Sequence, residues 1–317
     1  MTPQIETITL PLPHGWFEAD TALPKHRFRA ANLASGIEAI EQVAARVSGL
    51  TPPEKSDDVE NTLDSAQRLF DSYFRVERDD AAPVSLFRSA MSQALPACAR
   101  DIQTGVSLSD EDLQTLALGL QRLADWAQFA PEPTETLNTA DAPQQENVLY
   151  RWKQQHQLFF LIIHGMLYLL HVLEEALNKE HAPVVRAILD DFAELMESSA
   201  VAFRLAGDFP IEGYDAEIRP DMHRHDPHFS GLFYADHKEL VTSLRVLKRV
   251  PDDFDVEMNR VGDAISAAYE AHALVCLRFV GDSSSLASKD PSRVAAESIR
   301  GKYVKRTKVI AGLAQPR

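Results

Sequence analysis

The chain has 317 residues and a formal net charge of −15, with 45% hydrophobic and 25% charged residues. This is the composition of a globular protein large enough to enclose a cofactor; its acidic balance excludes a duplex nucleic-acid binder and an anionic membrane surface as partners. Two cysteines, Cys98 and Cys276, exclude a disulfide scaffold or a cysteine-rich zinc site, and 13 glycines are few for the turns of a sandwich or barrel.

The first stretch, MTPQIETITLPLPHGWFEAD, has no basic n-region and no continuous apolar run, so no signal peptide is read and a cytoplasmic location is expected. Residues 1–30 contain Pro3, Pro11, Pro13 and Pro24 and read as an extended arm. Helical periodicity follows over 31–50, 59–80, 84–105 and 108–129, the last opening on the capping sequence SLSDEDLQ. Residues 130–146 are rich in Pro and Thr and read as a linker. Helices are predicted over 147–178 and 182–206, an irregular segment over 207–231, and helices over 232–248 and 253–280. A Ser-rich loop then leads to a basic final helix over 291–313. The apolar run Leu158–Leu170 is shorter than a membrane span and reads as a helix buried on nearly all sides. No repeat and no strand pair is evident. The expected fold class is all-α, one integrated domain with 1–146 as a cap or dimerisation part and 147–317 as the core.

The chemistry candidates are histidines, and they concentrate in the C-terminal part, among them His156, His164, His171, His223, His225, His228, His237 and His272. MHRHDPHF, 222–229, has a zinc-like spacing, though a polar loop explains it better. A di-iron bundle needs Glu three residues before a ligating histidine, and no histidine here has one. His164 stands in the most apolar stretch and needs a partner there. His272 and Cys276 are four apart and share one helix face, and Ala271 and Ala273 beside His272 permit close approach of a flat ligand or of another helix.

Three segments carry a family resemblance: HALVCLRFVG from His272 to Gly281 followed by GDSSSLAS, FLIIH ending at His164, and YDAEIRP containing Arg219. Together they resemble the tryptophan 2,3-dioxygenase superfamily of histidine-ligated haem-dependent aromatic oxygenases. The pattern is closest to the haem-dependent tyrosine and 3-methyltyrosine hydroxylases, which combine two histidines with H-x-x-x-C. The resemblance implies a helical bundle of the tryptophan 2,3-dioxygenase-like type enclosing haem b, with His272 on the iron and Arg278 beside the cofactor. His164 or His237 would serve the distal side, His237 alternatively as a second iron ligand. Cys276 would form a thioether to the haem or remain a buried thiol. Arg219 would grip the substrate carboxylate, Phe160, Phe229 and Phe233 would wall its ring, and Ser283 and Ser284 would contact its polar end. The implied activity is hydroxylation of L-tyrosine or a derivative with O2 or H2O2, by a homo-oligomer, a dimer, in a secondary-metabolite pathway. The alternatives are indole oxygenation of the tryptophan dioxygenase kind, a haem carrier or sensor without turnover, and a helical interaction protein without cofactor.

Overall fold

The computed structural model describes residues 4–18, 35–50, 63–130, 147–229, 231 and 234–280. Ten helices and two strands follow one another: β1 (Ile8–Pro11), α1 (Gly36–Val47), α2 (Ser65–Tyr73), β2 (Val76–Asp79), α3 (Pro83–Ile102), α4 (Asp110–Trp126), α5 (Val148–Asn178), α6 (Ala182–Ala206), α7 (Ile211–Gly213), α8 (Arg219–His225), α9 (Ala235–Ser243) and α10 (Asp255–Val280). The all-α class is confirmed, with one small departure at the two strands.

Local chemistry sets most helix starts. Ser35, Asp64, Ser109 and Asn147 each accept a hydrogen bond from the backbone N–H three residues on. Such caps contribute about 1 kcal/mol apiece. At α4 the residue completing the cap is Asp112, whose N–H reaches Ser109 Oγ at 3.1 Å. Proline stands in the first turn of α3 and of α6, where its missing N–H costs nothing.

Helix α5 is the hub. By length and composition it could cross a membrane, yet 89% of its most apolar 18-residue window is buried against the other helices. Close approach depends on two glycines: a Cβ on Gly119 of α4 would overlap Ser198 of α6, and one on Gly165 of α5 would overlap Leu123 of α4. Buried ion pairs tie the layers. Arg151 of α5 reaches Asp101 of α3 at 3.1 Å and also donates to the carbonyls of Gly105 and Asp208. One apolar cluster runs from Ile8 to Phe279 through both halves of the chain.

The strands correct the sequence reading. Periodicity predicts helix to residue 80, but α2 stops at Tyr73, Arg75 turns left-handed at φ 57°, and β2 pairs in parallel with β1, Ile8 opposite Val76. A single side chain stabilises the switch: Gln157 Nε2 donates to the carbonyls of Glu6 and Phe74, both at 2.9 Å. That bond spans 151 residues, so no local pattern announces it. The segment expected to be irregular, 207–231, instead winds from α7 through a π-helical stretch at Tyr214–Ile218 into α8. The helix expected over 232–248 is α9 tightened into a 3-10 segment at Leu244–Arg249. The Ser-rich loop and the helix expected over 291–313 lie outside the described residues.

Candidate active site

Helices α5, α6, α9 and α10 line a partly open cleft whose empty space, open mouth included, is about 490 Å³. Its walls are mostly apolar, with Phe159, Met196, Phe203 and Ala268 among them, and two imidazoles enter it: His237 from α9 and His272 from α10. The ring of His272 lies parallel to Phe203 of α6, centroids 4.6 Å apart and planes 6° apart, which fixes the imidazole plane. Phe203 in turn packs on Phe159 of α5 at 4.3 Å. Ser199 adds no free donor to the wall, because its hydroxyl donates to the carbonyl of Met196 at 2.7 Å.

The donor set restricts what can bind. A bare transition-metal ion takes three or four protein ligands. Among the described residues no group of three His, Cys, Asp or Glu side chains gathers anywhere, the MHRHDPHF segment included. A metal held by His237 and His272 must therefore bring further ligands of its own, on a body apolar enough for these walls.

One and two turns before Phe159 on α5, at helical spacing, stand His156 and Trp152, outside the residues that line the cleft. His156 is stacked between Phe74 at 4.6 Å and Trp152 at 4.1 Å. Its Nδ1–H donates to the Trp152 carbonyl at 2.6 Å, so Nε2 carries the lone pair. Burial lowers its pKa, the Trp152 carbonyl opposes this, and the nearby His272 lowers it further, to about 4.

A family model described as SfmD 3-methyl-L-tyrosine peroxygenase matches residues 7–284. The chain belongs to that family. Its members are peroxygenases, so this is an oxidoreductase, in agreement with the resemblance read from the sequence. A 3-methyl-L-tyrosine peroxygenase of Streptomyces lavendulae is 25% identical over 287 residues, covering 86% of this chain and 78% of the relative. The crystal structure of reduced SfmD, soaked with sodium hydrosulfite, superposes with a TM-score of 0.61 at 21% identity. It covers 85% of this chain and 98% of that one, and so shares the fold.

Set in this peroxygenase family, the residues singled out from the sequence divide into two groups. His237 and His272 meet in the cleft. Cys276 stands one turn beyond His272, half-buried and free, its thiol pushed by burial to a pKa of about 11. His164 is not in the cleft. It is fully buried, with Trp16 Nε1 donating to its Nδ1 at 3.1 Å and its Nε2 3.1 Å from Asp236. Phe160 points away too, into an aromatic core with Phe70, Phe74 and Tyr234, where Phe229 also stacks on Phe70. Its neighbour Phe159 takes the wall position. Arg278 donates to the carbonyls of Gly207 and Phe209 at 3.0 and 2.8 Å, closing the end of α6. Arg219 opens α8 beside Tyr214, half-buried, with no ion-pair partner among the described residues. Ser283, Ser284 and Phe233 lie outside the described residues.

The cleft-wall residues that the sequence reading missed are Phe159 and Phe203. A stripe at i, i+4, i+7 and i+11 through Trp152, His156, Phe159 and Ile163 was the available signal.

Proposed function

We propose that the chain is a haem-dependent peroxygenase that hydroxylates the aromatic ring of a tyrosine derivative. The observation that carries this reading is the entry of His237 and His272 into one apolar cleft with no third protein donor. A porphyrin would supply the ligands that the protein does not, together with an apolar face, and imidazole is a common ligand of its iron. The Streptomyces relative, a 3-methyl-L-tyrosine peroxygenase, supports a tyrosine derivative as substrate and peroxide as oxidant. The overall change is balanced as ring C–H plus H2O2 giving ring C–OH plus H2O.

In this reading His272 would hold the haem, and His237 would hold it at rest and release it on turnover; bound haem would supply the iron centre at which peroxide is activated. Phe203 keeps the His272 ring in plane, and the apolar walls exclude water. Arg219, lacking a carboxylate partner, grips the amino-acid carboxylate, a charge-assisted contact worth about 1.5–3 kcal/mol. Cys276 is the candidate for a thioether, formed by adding its S–H across a vinyl group, which needs no oxidant. A cytoplasmic homodimer completes the proposal, and sedimentation velocity tests its assembly.

The test is expression with haem supply, followed by turnover of 3-methyl-L-tyrosine, L-tyrosine and L-tryptophan with H2O2. The expected result is a Soret band and a tyrosine-derived product heavier by one oxygen atom. A ring-opened tryptophan product favours indole dioxygenation instead, and a protein that takes up no haem overturns the reading. Colour retained through acid–acetone extraction, and released in Cys276→Ala, identifies the thioether.

A further inference from the structure

His237 is the third residue of a nine-residue helix whose N-cap, Tyr234, makes no side-chain capping bond. What holds that end is a ring of buried side chains. Asp236, fully buried, receives both Arg78 terminal nitrogens, at 2.9 and 2.8 Å. The same guanidinium grips Asp71 through Nε and Nη2, at 3.1 and 2.9 Å. Asp71 accepts from Gln67 Nε2 at 2.6 Å, and Gln67 Oε1 accepts from the backbone N–H of Ala235. Ala235 is bonded to Asp236, so the circuit closes on itself around the first turn of α9.

His164 braces this ring from α5. Trp16 donates to its Nδ1, which places the proton on Nε2, and Nε2–H donates to Asp236 Oδ2 at 3.1 Å. The Arg78 nitrogen lying 3.2 Å from Nε2 is then a second donor facing the first, held there by the carboxylate they share. Both oxygens of Asp236 are occupied, and its carboxylate cannot turn.

We infer that the ring of Asp236, Arg78, Asp71 and Gln67, braced by His164, positions His237 for the metal group in the cleft, and that His164 acts through Asp236. This rests on the haem reading above. It makes His164, Arg78 and Asp236 positioning residues, and it explains why the N-terminal part of the chain, which supplies Trp16, Asp71 and Arg78, belongs to the site. A ligand carried on a short helix is only as firmly offered as the helix end next to it. Loosening the ring must therefore weaken coordination by His237 while leaving His272 in place.

The experiment is an absorption and electron paramagnetic resonance comparison of haem-loaded wild type, Asp236→Asn and His164→Gln. Asp125→Asn serves as control, since it breaks the buried Arg46–Asp125 pair at 2.7 Å elsewhere in the fold. The expected wild-type spectrum is six-coordinate and low-spin. Asp236→Asn is expected to shift the six- to five-coordinate ratio at least tenfold toward the high-spin form, and added imidazole is expected to restore the low-spin spectrum. The control is expected to lower the apo melting temperature without moving the spin ratio. If Asp236→Asn does not fold, His164→Gln is read in its place. Unchanged spin ratios in both variants, or a shift equal to that of Asp125→Asn, overturn the inference, as does a wild type that is five-coordinate. A wild type that binds no haem overturns the haem reading itself.

Discussion

Two histidines eight residues apart on α5 have opposite surroundings. His164 is sealed, both ring nitrogens engaged by Trp16 and Asp236, in a region where every charge is matched at hydrogen-bond distance. His156 has one nitrogen tied to its own helix and the other left with its lone pair, on the stripe that leads into an open apolar cleft. Burial therefore does not mark function in this protein. The most buried histidine is the one most completely used by the fold, while the half-buried one keeps one ring nitrogen unbonded.

The contrast can be broken most directly at the cleft. His272→Ala is expected to abolish the Soret band of haem-loaded protein while changing the urea midpoint of the apo protein little, because the ring contributes one stack on Phe203. In the sealed region the effect reverses. Arg78→Met leaves Asp71 and Asp236 buried without their cation, and the expected loss is about 3–5 kcal/mol of apo stability in urea melts. Gly165→Ala, at the contact with Leu123, is expected to cost about 1–3 kcal/mol in the same melts, since a methyl group must be forced into a closed helix pair.

The smallest effect is the pH dependence of His156. Its folded pKa is about 4, below the ordinary imidazole value of 6.5, so the unfolded chain binds the proton first as pH falls. Stability is thus expected to decline from about pH 6.5 toward pH 4, with no contribution from this group above that window. His156→Phe, which keeps the aromatic stack, is expected to show a shallower decline in urea melts between pH 7 and 5.

Much of this was legible in the sequence, for local reasons. Caps such as Ser109 and the terminal prolines of α3 and α6 declare helix starts within a few residues. His237 and His272 were singled out through a family resemblance at H-x-x-x-C, and the structure brings both to the wall of one cleft. The wall of the cleft was misread by one position, Phe160 for Phe159. In LFFLIIHGMLYLL every face is apolar, so the run does not show which side of the helix meets α6 and which meets α2. His164 was misassigned for the same reason: its partners, Trp16 and Asp236, come from opposite ends of the chain, and polar groups so far apart leave no joint signature. The strand at Val76–Asp79 was lost because its partner lies in the N-terminal arm.

The separations in that ring have a kinetic consequence. Trp16 and His164 are 148 positions apart, and Arg78 and Asp236 are 158 apart. Contacts that close such long loops come after the helix hairpins, whose partners are neighbours in the chain. During synthesis the arm carrying Trp16 emerges first and must wait for α9 before its last bonds can form. Helical signal is therefore expected to return early in refolding and the environment of Trp16 late, and a chain still lacking its docked arm would present a cleft without a firmly set second imidazole.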